Sequence, residues 1–133
     1  MVTLTFRQIA DRLKQLELPE TDVVIGIGSG GIAPATMVAF YLDAEMLVMS
    51  INYRDEQNVP RYQEPRLLGM PETNLEGKRI LLVDDVSVSG KTMNAALMQL
   101  KGLNVKTLAM KGKADYVLFP EIKDCVSWPW KPS

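Results

Sequence analysis

The stretch Arg79-Ile-Leu-Leu-Val-Asp-Asp-Val-Ser-Val-Ser-Gly-Lys-Thr92 decides which fold this sequence is expected to adopt. The apolar run from Ile80 to Val83 predicts a strand that is buried on both faces, as in a parallel sheet. Two carboxylates, Asp84 and Asp85, follow the strand directly. We therefore expect strongly polar chemistry at the carboxyl end of a buried strand.

The second half of the same stretch predicts an anion site. A loop of small residues leads into a helix that begins at Lys91 or Thr92. The N–H groups and the positive dipole end of a helix N-terminus face one point, where phosphate is stabilised. The hydroxyls of Ser87, Ser89 and Thr92 are further donors. The neighbouring acid pair suits a sugar diol or a magnesium ion, so the combination describes a ribose 5-phosphate.

Composition narrows the function classes. A length of 133 residues predicts one domain, residues 1–133. The net charge of −1 gives no electrostatic case for nucleic acid. No apolar run approaches the roughly 18 residues of a membrane span, so we expect no membrane contact. The lone Cys125 and the absence of a signal-peptide pattern favour a cytoplasmic protein. The absence of histidine excludes Ser-His triads and histidine metal sites.

Helical and strand patterns alternate along the rest of the chain. The predicted helices cover 5–17, 32–42 and 92–100, and the predicted strands cover 22–27, 45–52, 79–84, 105–110 and 116–119. This alternation predicts an α/β protein with a doubly wound parallel sheet and ligands at the carboxyl ends of the strands. The polar stretch 53–72 reads as a long loop, and such loops are usually functional or disordered.

A glycine motif in the first half admits a rival interpretation. Gly26-x-Gly28-x-x-Gly31 matches the dinucleotide-binding fingerprint. That fingerprint also requires an acid at the end of the next strand, to hold a ribose. The next strand ends near Asn52, and no acid occurs before Asp55. A tight strand-to-helix turn without a ligand is the structural alternative.

The segment Ser89-Gly-Lys-Thr92 is similar to the end of a nucleotide-binding P-loop. A true P-loop carries glycine five residues before Gly90, where this sequence has Asp85. A carboxylate inside a phosphate cradle contradicts that chemistry. The acid pair also has a structural alternative, because Asp85 could cap the following helix at a solvated strand end.

The run from Arg79 to Thr92 resembles the phosphoribosyl-diphosphate (PRPP) signature of type I phosphoribosyltransferases: an apolar strand, two acids and a loop ending in Thr/Ser-Gly-x-Thr. The likeness extends from about residue 22 to the C-terminus and is strongest to the short xanthine/guanine/hypoxanthine enzymes. It implies a type I phosphoribosyltransferase fold with a small C-terminal hood. It also implies small-molecule substrates, either PRPP with a nucleobase or a nucleoside monophosphate, and a homo-oligomer.

The resemblance assigns roles to individual residues. Asp84 and Asp85 would be the catalytic acids and would hold the ribose hydroxyls, directly or through Mg2+. The remaining assignments are the 5-phosphate to Ser87, Val88, Ser89, Gly90, Lys91 and Thr92; the diphosphate to Gly28, Ser29, Gly30 and Gly31; and the base to Lys111 and Trp128. The segment Tyr53–Met70 would be a mobile lid that excludes water and carries Arg54, Arg61 and Arg66.

Three positions depart from the family pattern. Val88 stands where an acid would take the proton from purine N7. Ser29 stands where an arginine would approach the diphosphate, and it brings no charge. Cys125 stands where an aromatic ring would stack on the base, unless Trp128 takes that place. Surface exposure for Lys111 and core packing for Trp128 are the structural alternatives.

These observations leave two main functional hypotheses open. The first is an enzyme that transfers a phosphoribosyl group from PRPP to a nitrogenous base, most simply a purine, and releases diphosphate. The second is a regulatory module that binds PRPP or a nucleotide without turnover, as the three departures suggest. A plain scaffold subunit is a third reading, although nothing structural requires Asp84 and Asp85 before that loop.

Overall fold

The computed structural model describes residues 1–52, 66–69 and 73–131. The helices are α1 (Phe6–Gln15), α2 (Ile32–Leu42) and α3 (Lys91–Gln99). The strands are β1 (Val2–Thr3), β2 (Val23–Gly28), β3 (Glu45–Asn52), β4 (Arg66–Gly69), β5 (Arg79–Ser87), β6 (Asn104–Gly112), β7 (Tyr116–Val117) and β8 (Val126–Ser127). The lid predicted at Tyr53–Met70 lies outside the described residues, except for β4.

A six-stranded sheet in the order β4-β3-β2-β5-β6-β7 forms the centre of the molecule. The strands β3, β2, β5, β6 and β7 run parallel to one another, and β4 pairs with β3 in the antiparallel direction. This confirms the predicted α/β class. The assignment of 66–69 to a loop was wrong, because an edge strand of this length depends on its pairing with β3 rather than on a local pattern.

Helices cover both faces of the sheet, as the doubly wound prediction requires. Along β5 the side chains alternate, so that Leu81 and Val83 belong to one core cluster and Ile80 and Leu82 to the other. The first cluster includes residues of α1 and α2, and the second includes residues of α3. Burial on both faces explains why β5 is a continuous apolar run rather than an alternating one.

Strand β5 is longer than the sequence pattern predicted. We expected the strand to end at Asp84, but its pairing with β6 continues through Val86 opposite Lys111 and Ser87 opposite Gly112. The acid pair therefore belongs to the strand itself. A strand that is already held by its neighbours can carry polar residues at its end, which hydrophobic patterning alone does not show.

A second, two-stranded sheet joins the chain ends. Strand β1 pairs with β8 in parallel, with Val2 opposite Val126. The amide of Leu4 donates to the Ser127 carbonyl at 3.2 Å, which extends this connection toward α1. The C-terminal segment is thus tied to the N-terminal segment and folds back toward the main sheet. None of the described helices has the length and apolarity needed to cross a membrane.

Candidate functional site

The predicted acids lie side by side in β5 and are both buried. Asp84 is 6% exposed and Asp85 is 8% exposed. The Asp85 amide donates to Asp84 Oδ1 at 2.8 Å, and the Val86 amide donates to Asp85 Oδ1 at 2.7 Å. Burial raises the pKa of Asp84 well above its ordinary value, and the adjacent Asp85 charge raises it further. A strongly perturbed acid in such a position is a candidate for function.

The glycine turn after β2 packs directly against this acid pair. A Cβ on Gly30 would lie 2.6 Å from Asp85 Oδ2, and a Cβ on Gly31 would lie 2.6 Å from the Val83 carbonyl oxygen. A side chain at Gly31 would therefore collide with backbone, and one at Gly30 would displace the Asp85 carboxylate. The turn predicted to bind diphosphate and the acids predicted to hold ribose are therefore neighbours.

The predicted phosphate loop connects β5 to α3. Gly90 adopts a left-handed conformation (φ 82°) immediately before the helix, which favours glycine there. The Ser89 hydroxyl accepts a hydrogen bond from the Lys91 amide at 3.3 Å. The first N–H groups of a helix have no acceptor within the helix, so an anion can bind them. Val88, which replaces the family's acid, is 69% exposed.

Ser87 and Gly112 close the loop from the β6 side. The Lys113 amide donates to the Ser87 carbonyl at 2.7 Å. A Cβ on Gly112 would lie 2.2 Å from that same oxygen, and φ at Gly112 is 105°, so glycine is needed. The Ser87 hydroxyl is buried and has no hydrogen-bond partner among the described residues. Its predicted role as a phosphate donor stays a prediction.

The residues predicted to bind the base lie in or against the C-terminal segment. Lys111 ends the buried part of β6, and its ammonium donates to the Asp124 carbonyl at 2.5 Å. Trp128 is 4% exposed and stacks on Trp130, with ring centroids 5.1 Å apart and planes at 10°. This burial favours the core-packing alternative for Trp128, so its role as a base-stacking ring stays a prediction. Cys125 is exposed.

One residue of the site could not be found from the sequence. Lys131 Nζ lies 3.1 Å from Asp85 Oδ2 and forms an ion pair with it. No motif links these two positions, which are far apart in the chain. The contact exists only because β8 returns the C-terminal segment toward the carboxyl end of β5.

The donor set at the acid pair is compatible with Mg2+. Carboxylate oxygens are ligands that Mg2+ accepts, usually one or two of them with water and substrate phosphate oxygens. Asp85 Oδ2 already faces a positive charge, that of Lys131. Among the described residues no group of three His, Cys, Asp or Glu side chains could hold a metal ion. Oxygens of a bound ligand would therefore have to complete the coordination.

The fold is of the α/β class and brings a buried acid pair, a glycine turn and a helix N-terminus together at the carboxyl ends of parallel strands. The comparisons with known proteins agree, since residues 5–130 match the family described as "Phosphoribosyl transferase domain". The chain belongs to this family and has the type I phosphoribosyltransferase fold. This confirms the resemblance and the fold predicted from the run Arg79–Thr92.

Two solved structures are similar over nearly the whole chain. A purine phosphoribosyltransferase from Pyrococcus horikoshii Ot3 is 25% identical, with a TM-score of 0.81 over 99% of this chain and 95% of that one. A hypothetical protein from Neisseria gonorrhoeae with bound ppGpp is 26% identical, with a TM-score of 0.74 over 98% of this chain and 89% of that one. These similarities extend from the sheet to the C-terminal segment.

A curated relative carries a regulatory name. Transcriptional regulator GfcR 2 from Methanosarcina acetivorans is 32% identical over 87 residues, which is 65% of this chain and 41% of the regulator. The chain thus spans less than half of that protein's length. The similarity shows a shared domain and leaves the activity of this chain to be proposed from its own site.

Proposed function

We propose that this protein transfers the phosphoribosyl group of PRPP to a purine base and releases diphosphate. The observation that carries the proposal is the buried acid pair of β5, which lies between the glycine turn after β2 and the loop that enters α3. In PRPP, the diphosphate fits the glycine turn, the ribose hydroxyls fit the two acids, and the 5-phosphate fits the helix N-terminus. Family membership and the likeness to a purine phosphoribosyltransferase support this proposal.

Each part of the site has a task in the proposed reaction. Asp84 and Asp85 bind the ribose hydroxyls and would hold Mg2+, which when bound supplies charge neutralisation at the leaving diphosphate. The hydroxyls of Ser89 and Thr92 and the first amides of α3 hold the 5-phosphate. Backbone groups of the turn 28–31 face the diphosphate. Fixing the sugar between these groups supplies positioning and electrostatic stabilisation for a dissociative displacement.

Val88 limits the reaction rate in this proposal. A purine that attacks the ribose through nitrogen must lose a proton, and positioned proton transfer contributes typically about 10²–10⁴-fold. Valine cannot accept that proton, and its side chain is open to solvent. We therefore propose slow turnover. The Mg2+ requirement, a homo-oligomeric state and a cytoplasmic location are further parts of the proposal, carried over from the sequence.

A regulatory nucleotide-binding function is the second candidate. The observations that favour it are Val88 and the uncharged Ser29 in an otherwise complete ribose-phosphate site. The ppGpp bound by the Neisseria protein and the regulatory name of the Methanosarcina relative give it independent support. In this case the acid pair and the phosphate loop would bind a purine nucleotide, and no phosphoribosyl group would be transferred.

The test is a screen for diphosphate release from PRPP with Mg2+, in which guanine, xanthine, hypoxanthine, adenine and uracil are offered one at a time. The proposal expects release with at least one purine and none in the double variant Asp84→Asn/Asp85→Asn. Binding of PRPP or guanosine nucleotides without release for any base supports the second candidate. Release with uracil alone contradicts the purine assignment.

A further inference from the structure

We propose that Lys131 binds the diphosphate group of the ligand and supplies the positive charge that the glycine turn lacks. This inference rests on the proposed function, because it concerns the same PRPP site. It assigns a binding role to a C-terminal residue outside the acid pair, the glycine turn and the phosphate loop.

The Lys131 ammonium lies beside the glycine turn. Asp85 Oδ2 is the oxygen that a Cβ on Gly30 would approach to 2.6 Å, and the same oxygen lies 3.1 Å from Lys131 Nζ. One carboxylate oxygen thus touches both the turn and the ammonium. The Gly31 amide donates to the Ile27 carbonyl at 2.8 Å, so an anion would have to bind the turn ahead of Gly31, where Lys131 is within reach.

The C-terminal segment fixes the backbone of Lys131 and leaves its charged end exposed to solvent. The Lys131 amide donates to the Trp128 carbonyl at 3.2 Å, and Trp128 is buried and stacked on Trp130. The Lys131 side chain itself is 54% exposed. Its partner Asp85 is buried, with a side chain only 11% exposed, so the ammonium can move to a more highly charged anion only where another cation, such as the proposed Mg2+, compensates the Asp85 charge.

Diphosphate binding at the glycine turn requires a positive charge that the turn itself does not supply. Gly28, Ser29, Gly30 and Gly31 carry no charged side chain, and the adjacent Asp84 and Asp85 repel a diphosphate. Lys111, at the end of β6, already donates to the Asp124 carbonyl. Lysine is a compact point charge with three donors on a flexible stem, which suits phosphate oxygens. Lys131 can therefore offset the acid pair when diphosphate enters.

The test compares the binding of three ligands by calorimetry: PRPP with Mg2+, inorganic diphosphate with Mg2+, and ribose 5-phosphate. The variants are Lys131→Met, Lys131→Arg and, as a matched control in the same segment, Lys123→Met. Lys131→Met should weaken PRPP and diphosphate binding at least about tenfold, the scale of a lost charged hydrogen bond. Ribose 5-phosphate binding should stay within about twofold, since that ligand lacks the diphosphate. Lys131→Arg should retain most of the wild-type affinity for PRPP and diphosphate, and Lys123→Met should bind all three ligands as wild type does.

The outcomes separate this inference from the proposed function. If wild type binds PRPP and Lys131→Met binds it equally well, the inference is wrong while the proposed function stands. If Lys131→Met binds PRPP more tightly, Lys131 competes with the ligand for Asp85, which also overturns the inference. If Lys131→Met weakens all three ligands equally, Lys131 supports the site as a whole and has no specific diphosphate role. If wild type binds neither PRPP nor ribose 5-phosphate, both proposals fail.

Discussion

Among single residues, the glycines of the site have the most direct physical explanation. Gly30 has no space for a side chain because Asp85 Oδ2 occupies it, and Gly31 has none because backbone carbonyls of β5 and β2 surround it. The sequence showed the glycines, but only the fold shows what each one meets. The same limit applies to Lys131, whose contact with Asp85 has no local sequence pattern.

Gly30→Ala should reduce ligand binding and leave the fold largely intact. The added methyl group would push the Asp85 carboxylate, the end of a side chain, out of its position. Gly31→Ala is the contrasting variant, because its methyl group would meet the backbone of Val83 and Ile27, which cannot move without disturbing two strands. Thermal unfolding and PRPP titration of both variants check this. Equal losses of stability in the two variants would contradict the account.

Val88→Asp should raise turnover of guanine, xanthine or hypoxanthine by at least about tenfold, part of the usual contribution of a positioned base. The side chain at this position is largely exposed, so a carboxylate can be accommodated without a desolvation cost. Steady-state diphosphate release measures the effect. Fast wild-type turnover that falls or stays the same in Val88→Asp would show that this position has another role.

Between elements, a polar link joins α1 to the segment after β7. The Arg12 guanidinium donates to Glu121 Oε1 and Oε2 at 3.0 and 2.6 Å and to the Leu118 carbonyl at 2.7 Å. It also lies 4.5 Å from the centre of the Phe119 ring. This pairing lowers the pKa of Glu121 from 4.5 to about 2.

The Arg12–Glu121 pair should make stability depend on pH in the acid range. Because the folded-state pKa of Glu121 lies below the unfolded value of 4.5, its stabilising effect is present above pH 4.5 and is lost as pH falls toward about 2. Glu121 is mostly exposed, so the effect is small. Urea unfolding across this range should show a difference between wild type and Glu121→Gln that shrinks with acid. A constant difference would contradict the assignment.

A helix or strand could be predicted from the sequence where local sequence patterns determine it. Helix α2 and strand β3 were predicted with their observed bounds. Their apolar patterns, and Pro34 in the first turn of α2, are local signals. The last residues of β5, the edge strand β4 and the β1–β8 pair were missed. Each of these is held by pairing with a strand that is distant in the sequence, and such pairing leaves no periodic signal.

For the whole molecule, the stretch Arg79–Thr92 predicts both the fold and the proximity of the residues assigned to ribose and to phosphate. The carboxyl ends of β2, β5 and β6 meet at one edge of the sheet, which places residues of Arg79–Thr92 beside the glycine turn. Outside the site, the last turn of α2 exposes two neighbouring aromatic side chains, Phe40 at 89% and Tyr41 at 43%. These exposed aromatic rings support the proposed homo-oligomer.

Phe40→Lys should shift the protein from a homo-oligomer to a monomer without lowering its thermal stability. Phe40 is 89% exposed, so its removal costs little within one chain, and lysine suits the last turn of a helix. Met98→Lys on α3 is the control, because it changes another exposed apolar residue, 68% exposed, on a different helix. Light scattering coupled to size-exclusion chromatography gives the mass. A monomeric wild type, or the same shift in both variants, would contradict the role of α2.

The central claim is that the acids of β5 and the loop into α3 bind a ribose 5-phosphate group. The most direct test is a calorimetric titration of PRPP with Mg2+ into wild type and into Asp84→Asn/Asp85→Asn. We expect the variant to lose about 2–4 kcal/mol of binding free energy, the scale of lost charged hydrogen bonds. Thermal stability should be unchanged or higher, because two buried carboxylates are removed. Equal affinity in the two proteins, or no binding by wild type, would contradict the claim.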